Sequence, residues 1–440
     1  MSGRRLLAAT AMAAAIAPAC IELRAYRCDD DDACVLDGVG GRCEPESVCS
    51  YPDDDCAGGY RYESQAPGML ANACVPAPDA CESQPCEATA LVVGDAHACI
   101  VDGDGALWCW GANLHGQLGR GSTAPAERCP GKTAALPAVA RAAASQHMCT
   151  RTNTDALWCW GRNDDGQVDW HDGVEPDVRA PLLVPELGIV PAVLDVGPHL
   201  SCAANGTAVR CWGLLPPSIE APYGFDAPAT VAAIVAGAAH ACARLDDGSV
   251  LCLGDDSRGQ LGDGVPNPLM APLVASVPFS SGTLALDAGV DHNCAVVDAG
   301  LGPEVRCWGA NDLGQCGAPP EVAMIATPTT VPNLVPGPYR QLALGARHSC
   351  VLAQDGRVQC WGDNAAGQVG PDAPAGFGAH TVVLEDDEAL RAVEIGAGDA
   401  FTCARTEDGR VICWGDNAAL QLGDPSSETT RAHREIALGC

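Results

Sequence analysis

The sequence predicts an all-β chain, a seven-bladed β-propeller preceded by a small disulfide-rich N-terminal region. Three observations lead there. One phrase, clearest from Gly345 to Gly370 as GARHSCVLAQDGRVQCWGDNAAGQVG, is repeated along the chain. Seven copies centre on Cys99/Cys109, Cys149/Cys159, Cys202/Cys211, Cys242/Cys252, Cys294/Cys307, Cys350/Cys360 and Cys403/Cys413, and their first cysteines are 50, 53, 40, 52, 56 and 53 residues apart. A period near fifty, with room for four short strands, is the signature of a propeller blade. Each unit is also broken by Gly, Pro, Asn or Asp-Gly and carries no sustained 3.6 period, which opposes a helical solenoid.

Within a copy, Ser349, Val351 and Ala353 alternate with Cys350 and Leu352, as in a short strand. Asp355-Gly356 is a hairpin signal, and Val358 and Cys360 share one face of the return strand. Asp363 to Gly367 is a second turn. In five copies the two cysteines are ten positions apart and their midpoint falls in the turn, at Asp104, Thr154, Asp247, Asp355 and Asp408. Residues placed symmetrically about a hairpin turn face each other roughly 4.5–5.5 Å apart, within reach of a disulfide. Cys202/Cys211 and Cys294/Cys307 straddle turns of other lengths, yet the midpoint stays in the turn. Cross-strand disulfides require that; a linear metal motif does not.

The chain has 440 residues, 26 cysteines and a net charge of −31. Regular cysteines predict an oxidising compartment. The acidic balance excludes nucleic acid as an electrostatic partner, and an anionic lipid surface with it. Residues 1–19 read as a signal peptide, with Arg4-Arg5 followed by a twelve-residue run from Leu6 to Ala17 that is too short to span a bilayer. Two cleavages compete: an ordinary one after Ala19, and a lipoprotein one that makes Cys20 the lipidated first residue. The lipoprotein reading is preferred, although Ala17 stands where a lipobox has Leu. The expected location is the cell envelope, or secretion.

Residues 20–89 read as a Cys-rich acidic module or stalk. Cys28, Cys34, Cys43, Cys49, Cys56, Cys74, Cys81 and Cys86 lie among Pro, Gly and two acidic runs, with too few large apolar residues for a core. Eight cysteines allow 105 pairings, and none is assigned. The acidic runs lack the spacing of a calcium loop and read as solvated charge.

Residues 90–440 read as the propeller. Copy 3 departs after its hairpin into Leu214-Leu215-Pro216-Pro217, copy 4 has Leu253 for Trp, copy 5 has Cys316 at a Leu position, and copy 7 has Phe401 for His and Leu420 for Gly. Pro-rich connections such as Thr327 to Pro338 are expected to be loops on one rim. The ending Arg434 to Cys440 resembles an opening strand, so closure through one blade built from both termini is expected. Cys129–Cys440 is then a candidate disulfide and Cys316 a buried free thiol.

The phrase resembles the repeat of the regulator of chromosome condensation family. The matching residues in copy 6 are Gly345, His348, Asp355, Gly356, Val358, Trp361, Gly362, Asn364, Gly367, Gln368 and Gly370. The resemblance covers about 350 residues and implies a seven-bladed propeller; the cysteines are an addition suited to export. The founding member's roles, exchange on a small GTPase and chromatin binding, need intracellular partners, and no loop motif carries them here.

His97, His147, His240, His292 and His348 stand two residues before a cysteine, on the same strand face. Zinc is opposed because copies 3 and 7 lose the His and keep both cysteines, so the His is read as structural, bonding the neighbouring blade's backbone. Trp110, Trp160, Trp212, Trp308, Trp361 and Trp414 are expected to pack between blades; an exposed Trp ring for sugar stacking is the alternative. Asn113, Asn311 and Asn364, with Gln117, Gln260, Gln315 and Gln368, read as turn residues. No nucleophile elbow, phosphate loop or HExxH is present. The expected function is a non-catalytic binding scaffold with no cofactor and no metal. It would be a monomer presenting loops to an extracellular protein. Glycan binding is the alternative, and a hydrolase or lyase with its site at the central channel comes third.

Overall fold

The computed structural model describes residues 87–436, apart from 123, 172–174, 185–186, 215–220, 279–281, 299, 301, 371–372, 374–375, 384–389 and 424–429, together with five short strands between 35 and 62. The chain divides into two compact units, 1–80 and 81–440. In the first, Arg42–Cys43, Cys49–Pro52 and Tyr60–Tyr62 form one antiparallel sheet and Val35–Leu36 pairs with Val39–Gly40. The signal, the lipidation of Cys20 and the pairing of Cys440 lie outside the described residues.

The second unit contains seven four-stranded antiparallel sheets, each in simple chain order. These are the seven blades: 90–132, 139–183, 193–226, 231–276, 283–330, 339–381 and 392–435. In blade 6 the strands are Tyr339–Leu344, His348–Ala353, Val358–Gly362 and Gly376–Thr381. The first strand lines the central channel and the fourth is outermost.

The cysteines sit in register across the second and third strands of every blade, from Cys99 opposite Cys109 to Cys403 opposite Cys413. Each pair is a disulfide in this structure, with Cα atoms 4.0–4.2 Å apart. That is slightly closer than the narrow type of opposed pair. Cys316 is a free, buried thiol, and its Sγ donates to Ala310 O at 3.1 Å. Cys129 is disulfide-bonded.

The core lies between blades. The Cys294–Cys307 disulfide of blade 5 shares one apolar cluster with Trp361 of blade 6. Cys350–Cys360 meets Trp414 in the same way, Cys403–Cys413 meets Trp110, Cys99–Cys109 meets Trp160, Cys149–Cys159 meets Trp212 and Cys242–Cys252 meets Trp308. Trp follows the second cysteine directly, so alternation sends the two to opposite faces. Six of the seven blades therefore set their disulfide against the next blade's indole, and blade 3 sets Cys202–Cys211 against Leu253.

Two expectations need correction. Thr430–Glu435 is the fourth strand of blade 7, paired with Val411–Gly415. Among the described residues no blade mixes the termini, and the ring closes by packing of blade 7 on blade 1. Alternation alone cannot tell a first strand from a fourth. Likewise Thr327 to Thr330 are not loop but the end of blade 5's outer strand, Met324–Thr330. Outer strands are half solvated and tolerate Pro, so their apolar signal is weak.

Candidate functional site: the blade seams, the channel and the loop rim

The repeat's polar residues converge on the seams. Trp Nε1 of one blade donates to the Gln carbonyl of the blade before it: Trp160 to Gln117 O (2.8 Å), Trp308 to Gln260 O, Trp361 to Gln315 O, Trp414 to Gln368 O and, across the closure, Trp110 to Gln421 O (all 2.9 Å). The Gln is held by its own turn. Gln368 Oε1 accepts Ala366 N–H, while Asn364 Oδ1 accepts Val369 N–H. The same pattern recurs at Asn113/Gln117 and Asn311/Gln315. The expected turn role of these residues is therefore visible in the structure.

The histidines bond differently from expectation. Their partner is a side chain on the next blade, not its backbone. His147 Nε2 meets Ser201 Oγ (2.6 Å), His240 Nε2 meets Asn293 Oδ1 (3.1 Å), His292 Nε2 meets Ser349 Oγ (2.8 Å) and His348 Nε2 meets Thr402 Oγ1 (2.9 Å). The hydroxyls of Ser201, Ser349 and Thr402 donate onward to the carbonyls of Gln167, Gln315 and Gln368. Each hydroxyl has one proton and spends it there, so the His donates from Nε2, and its buried Nδ1, which has no acceptor to bond, is left unprotonated in a neutral ring. Burial agrees, holding His147, His292 and His348 down to about 3. His97 is the exception. Met148 stands in blade 2 where the other His partners offer Ser, Thr or Asn, both ring nitrogens of His97 lack partners, and burial alone holds it down to about 4.

The Gly of the repeat explains itself here. A Cβ on Gly345 would overlap both the His348 ring and the Gly398 carbonyl of the next blade. Gly94, Gly237 and Gly289 are squeezed in the same way, between their own His ring and the next blade's carbonyl. A glycine collar results at one channel mouth.

The channel holds residues that the sequence did not single out. A 60 Å³ cavity at the mouth is lined by the collar with Asp95, Ser145, Pro198, Val290 and Asp399. Ser145 Oγ donates to Asp95 Oδ1 at 2.5 Å. Deeper in, Asp195 and Asp287 line a 210 Å³ cavity. Their carboxylates cap the channel-side edge of the next blade: Asp195 Oδ2 accepts Ala236 N–H and Asp287 Oδ2 accepts Leu344 N–H, both at 2.8 Å. Glu394 does the same for Leu91 N–H (3.0 Å), and Gln341 exchanges two bonds with the Ile395 backbone. A lone Asp inside an apolar first strand, as in Leu194-Asp195-Val196, was the available signal. These acids serve the sheet edges, and among the described residues no group of three or more His, Cys, Asp or Glu could hold a metal.

Asp195 is pushed up to about 7 by desolvation. The folded value lies above the unfolded one near 3.9, so its favourable contribution is complete only below the unfolded value. It is lost as pH rises from about 4 to about 7. Asp195→Asn keeps an oxygen for Ala236 N–H and cannot ionise. We expect it to stabilise the protein by ~2 kcal/mol above pH ~7 and to match the parent near pH ~4, as read by denaturant midpoints at both pH values.

The six repeat Trp are 0–1% exposed, so none of them can stack a sugar. Asn113, Asn311 and Asn364 are buried too. Among the described residues five of the seven exposed large apolar side chains, Leu183, Val190, Val265, Val322 and Met324, lie on connections and outer strands; Leu114 in the copy 1 turn and Leu284 on the first strand of blade 5 are the other two. Val265 is 71% exposed, Val322 46% and Met324 39%. Gly264 N–H donates to Ala326 O (3.0 Å), which sets Val265 of blade 4 beside the outer strand of blade 5.

Comparison with known proteins agrees with this geometry. The model of the RCC1-like domain matches residues 63–437. The Arabidopsis thaliana ultraviolet-B receptor UVR8 is 31% identical over 199 residues, 44% of this chain and 44% of its own. The human probable E3 ubiquitin-protein ligase HERC6 is 29% identical over 219 residues, 48% of this chain and 20% of its own. The chain thus spans less than half the length of these relatives. Among solved structures, yeast RCC1 (Prp20), crystallised bound to Kap60, superposes with a TM-score of 0.65 at 20% identity. That match covers 80% of this chain and 86% of that one. Human WBSCR16 gives 0.65 at 18% identity, over 76% of this chain and 95% of its own. The repeat, the seven blades and the match along most of the sequence make the chain a member of the RCC1-like domain family.

Proposed function

We propose that the protein is an exported, non-catalytic scaffold that binds a protein partner through the variable connections and outer strands of its propeller. The observation that carries this reading is a division of labour. The chemically capable repeat residues (His, Trp, Cys, Asn and Gln) are buried and serve the seams, while five of the seven exposed large apolar groups among the described residues, Leu183, Val190, Val265, Val322 and Met324, lie on connections and outer strands, where the copies differ. Export is supported by a cysteine pair in every blade, which suits an oxidising compartment. Yeast RCC1 (Prp20), which shares the fold, was crystallised bound to Kap60, so a protein that carries this propeller binds a protein partner.

The test is binding of the purified full chain to envelope proteins, with crosslinking, beside a glycan array. We expect a saturable protein partner whose affinity falls at least ~10-fold in the Val265→Glu/Met324→Glu variant. Strong binding to one sugar class, unchanged by that variant, contradicts the proposal.

A further inference from the structure

Four of the sequence's departures from its own repeat fall at one seam. The Trp latch needs a Trp on one blade and a Gln turn on the blade before it. Blade 3 leaves the repeat at Leu214 and has no Gln turn in its sequence, and blade 4 carries Leu253 in place of Trp. The His latch needs a His on one blade and a Ser, Thr or Asn on the next. Blade 3 has Leu200 and blade 4 has Ala241. Both halves of both latches are therefore replaced together, and each remaining half would have had no partner. What fills the seam is apolar: Leu200, Cys202, Cys211, Ile234, Ala241 and Leu253 belong to one cluster. Leu buries less area against the disulfide than the indole does elsewhere.

The other seams keep more. Blades 4 and 5, 5 and 6, and 6 and 7 carry both latches. Blades 1 and 2 keep the Trp latch, and blades 2 and 3 keep the His latch. The closing seam carries no His latch, since Phe401 lies in one cluster with Ala98. It is nevertheless fastened by Trp110 to Gln421 O and by Glu394, which accepts from Leu91 N–H and from Arg405 Nε.

We infer that the propeller opens first between blades 3 and 4, and not at the seam where its ends meet. At this seam the described cross-blade hydrogen bonds are Asp195 to Ala236 N–H and Gly206 O to Val231 N–H. The second kind recurs elsewhere, from Val139 N–H to Gly105 O and from Ala392 N–H to Gly356 O, so it gives this seam no advantage. Opening here parts the channel wall beside Asp195.

Four amide protons report the opening of individual seams, because each is bonded across one of them. They are Ala236 for blades 3 and 4, Leu344 for 5 and 6, Ile395 for 6 and 7, and Leu91 for the closure. Ala236 and Leu344 are matched controls, since both are held by an Asp at 2.8 Å. The experiment is residue-resolved native-state amide exchange on the oxidised full chain, corrected for intrinsic rates. Ala236 is expected to exchange at least ~10-fold faster than Leu344, as expected for two missing hydrogen bonds of about 1 kcal/mol each, and about 5-fold faster than Leu91, whose seam lacks one of the two. A second arm uses His292→Leu/Ser349→Ala, which copies the blade 3–4 pair into the seam of blades 5 and 6; it should speed Leu344 and leave Ala236 unchanged. Equal protection of Ala236 and Leu344 overturns the inference, as does fastest exchange at Leu91.

Discussion

Trp308→Ala is expected to lower stability by about 3–5 kcal/mol, seen as a melting point lower by roughly 5–10 °C. The reasons are local. The indole is fully buried, lies against the Cys242–Cys252 disulfide and the apolar side chains of blade 4, and donates to Gln260 O at 2.9 Å. Truncation opens a cavity at a seam where both neighbours are rigid sheets, so little collapse can fill it. It also leaves the Gln260 carbonyl with Asn293 Nδ2 alone. Trp308→Leu, which copies Leu253 of blade 4, should recover part of the loss, because it restores volume without the hydrogen bond. A change below ~1 kcal/mol for the alanine variant would mean that the seams do not hold the ring.

The second large effect concerns the disulfides. Each closes a hairpin with a sequence separation of 9 to 13 residues, worth about 2.5–3 kcal/mol by loop entropy. Cys350→Ser/Cys360→Ser should lose about that much, and the loss should recur, within a factor of two, at the equivalent pair of any blade. The paired cysteines are 0–1% exposed. Reductant alone should therefore leave the folded protein oxidised, whereas reductant with denaturant should abolish refolding of the propeller. Melting curves with and without reductant, after a denaturing pulse, check both statements.

Much of the fold was legible because one physical unit is written seven times. A hairpin turn fixes which residues face each other, so the spacing of Cys350 and Cys360 about Asp355-Gly356 already contained the register. The opposite orientation of Trp361 followed from strand alternation. The outer strands were less legible, since a half-solvated strand such as Met324–Thr330 has no continuous apolar face to write into the sequence. The histidine partners were hidden for another reason. His292 bonds Ser349, 57 positions away, and only the ring geometry brings one blade's second strand against the next. The channel acids were missed because Asp195 and Asp287 each interrupt a strand that reads as apolar. Their task, capping the sheet edge of a different blade, is not a local property. Exposed apolar residues such as Val265, Val322 and Met324 fall in the stretches where the copies stop resembling one another, which is where a repeat pattern carries no information.

The measurement that tests the central claim most directly is non-reducing peptide mapping of the mature protein by mass spectrometry. The account predicts seven intrablade linkages, Cys99–Cys109, Cys149–Cys159, Cys202–Cys211, Cys242–Cys252, Cys294–Cys307, Cys350–Cys360 and Cys403–Cys413, with Cys316 as a free thiol that alkylates only after unfolding. Repeat cysteines found as free thiols, bound to metal or linked between blades would contradict it.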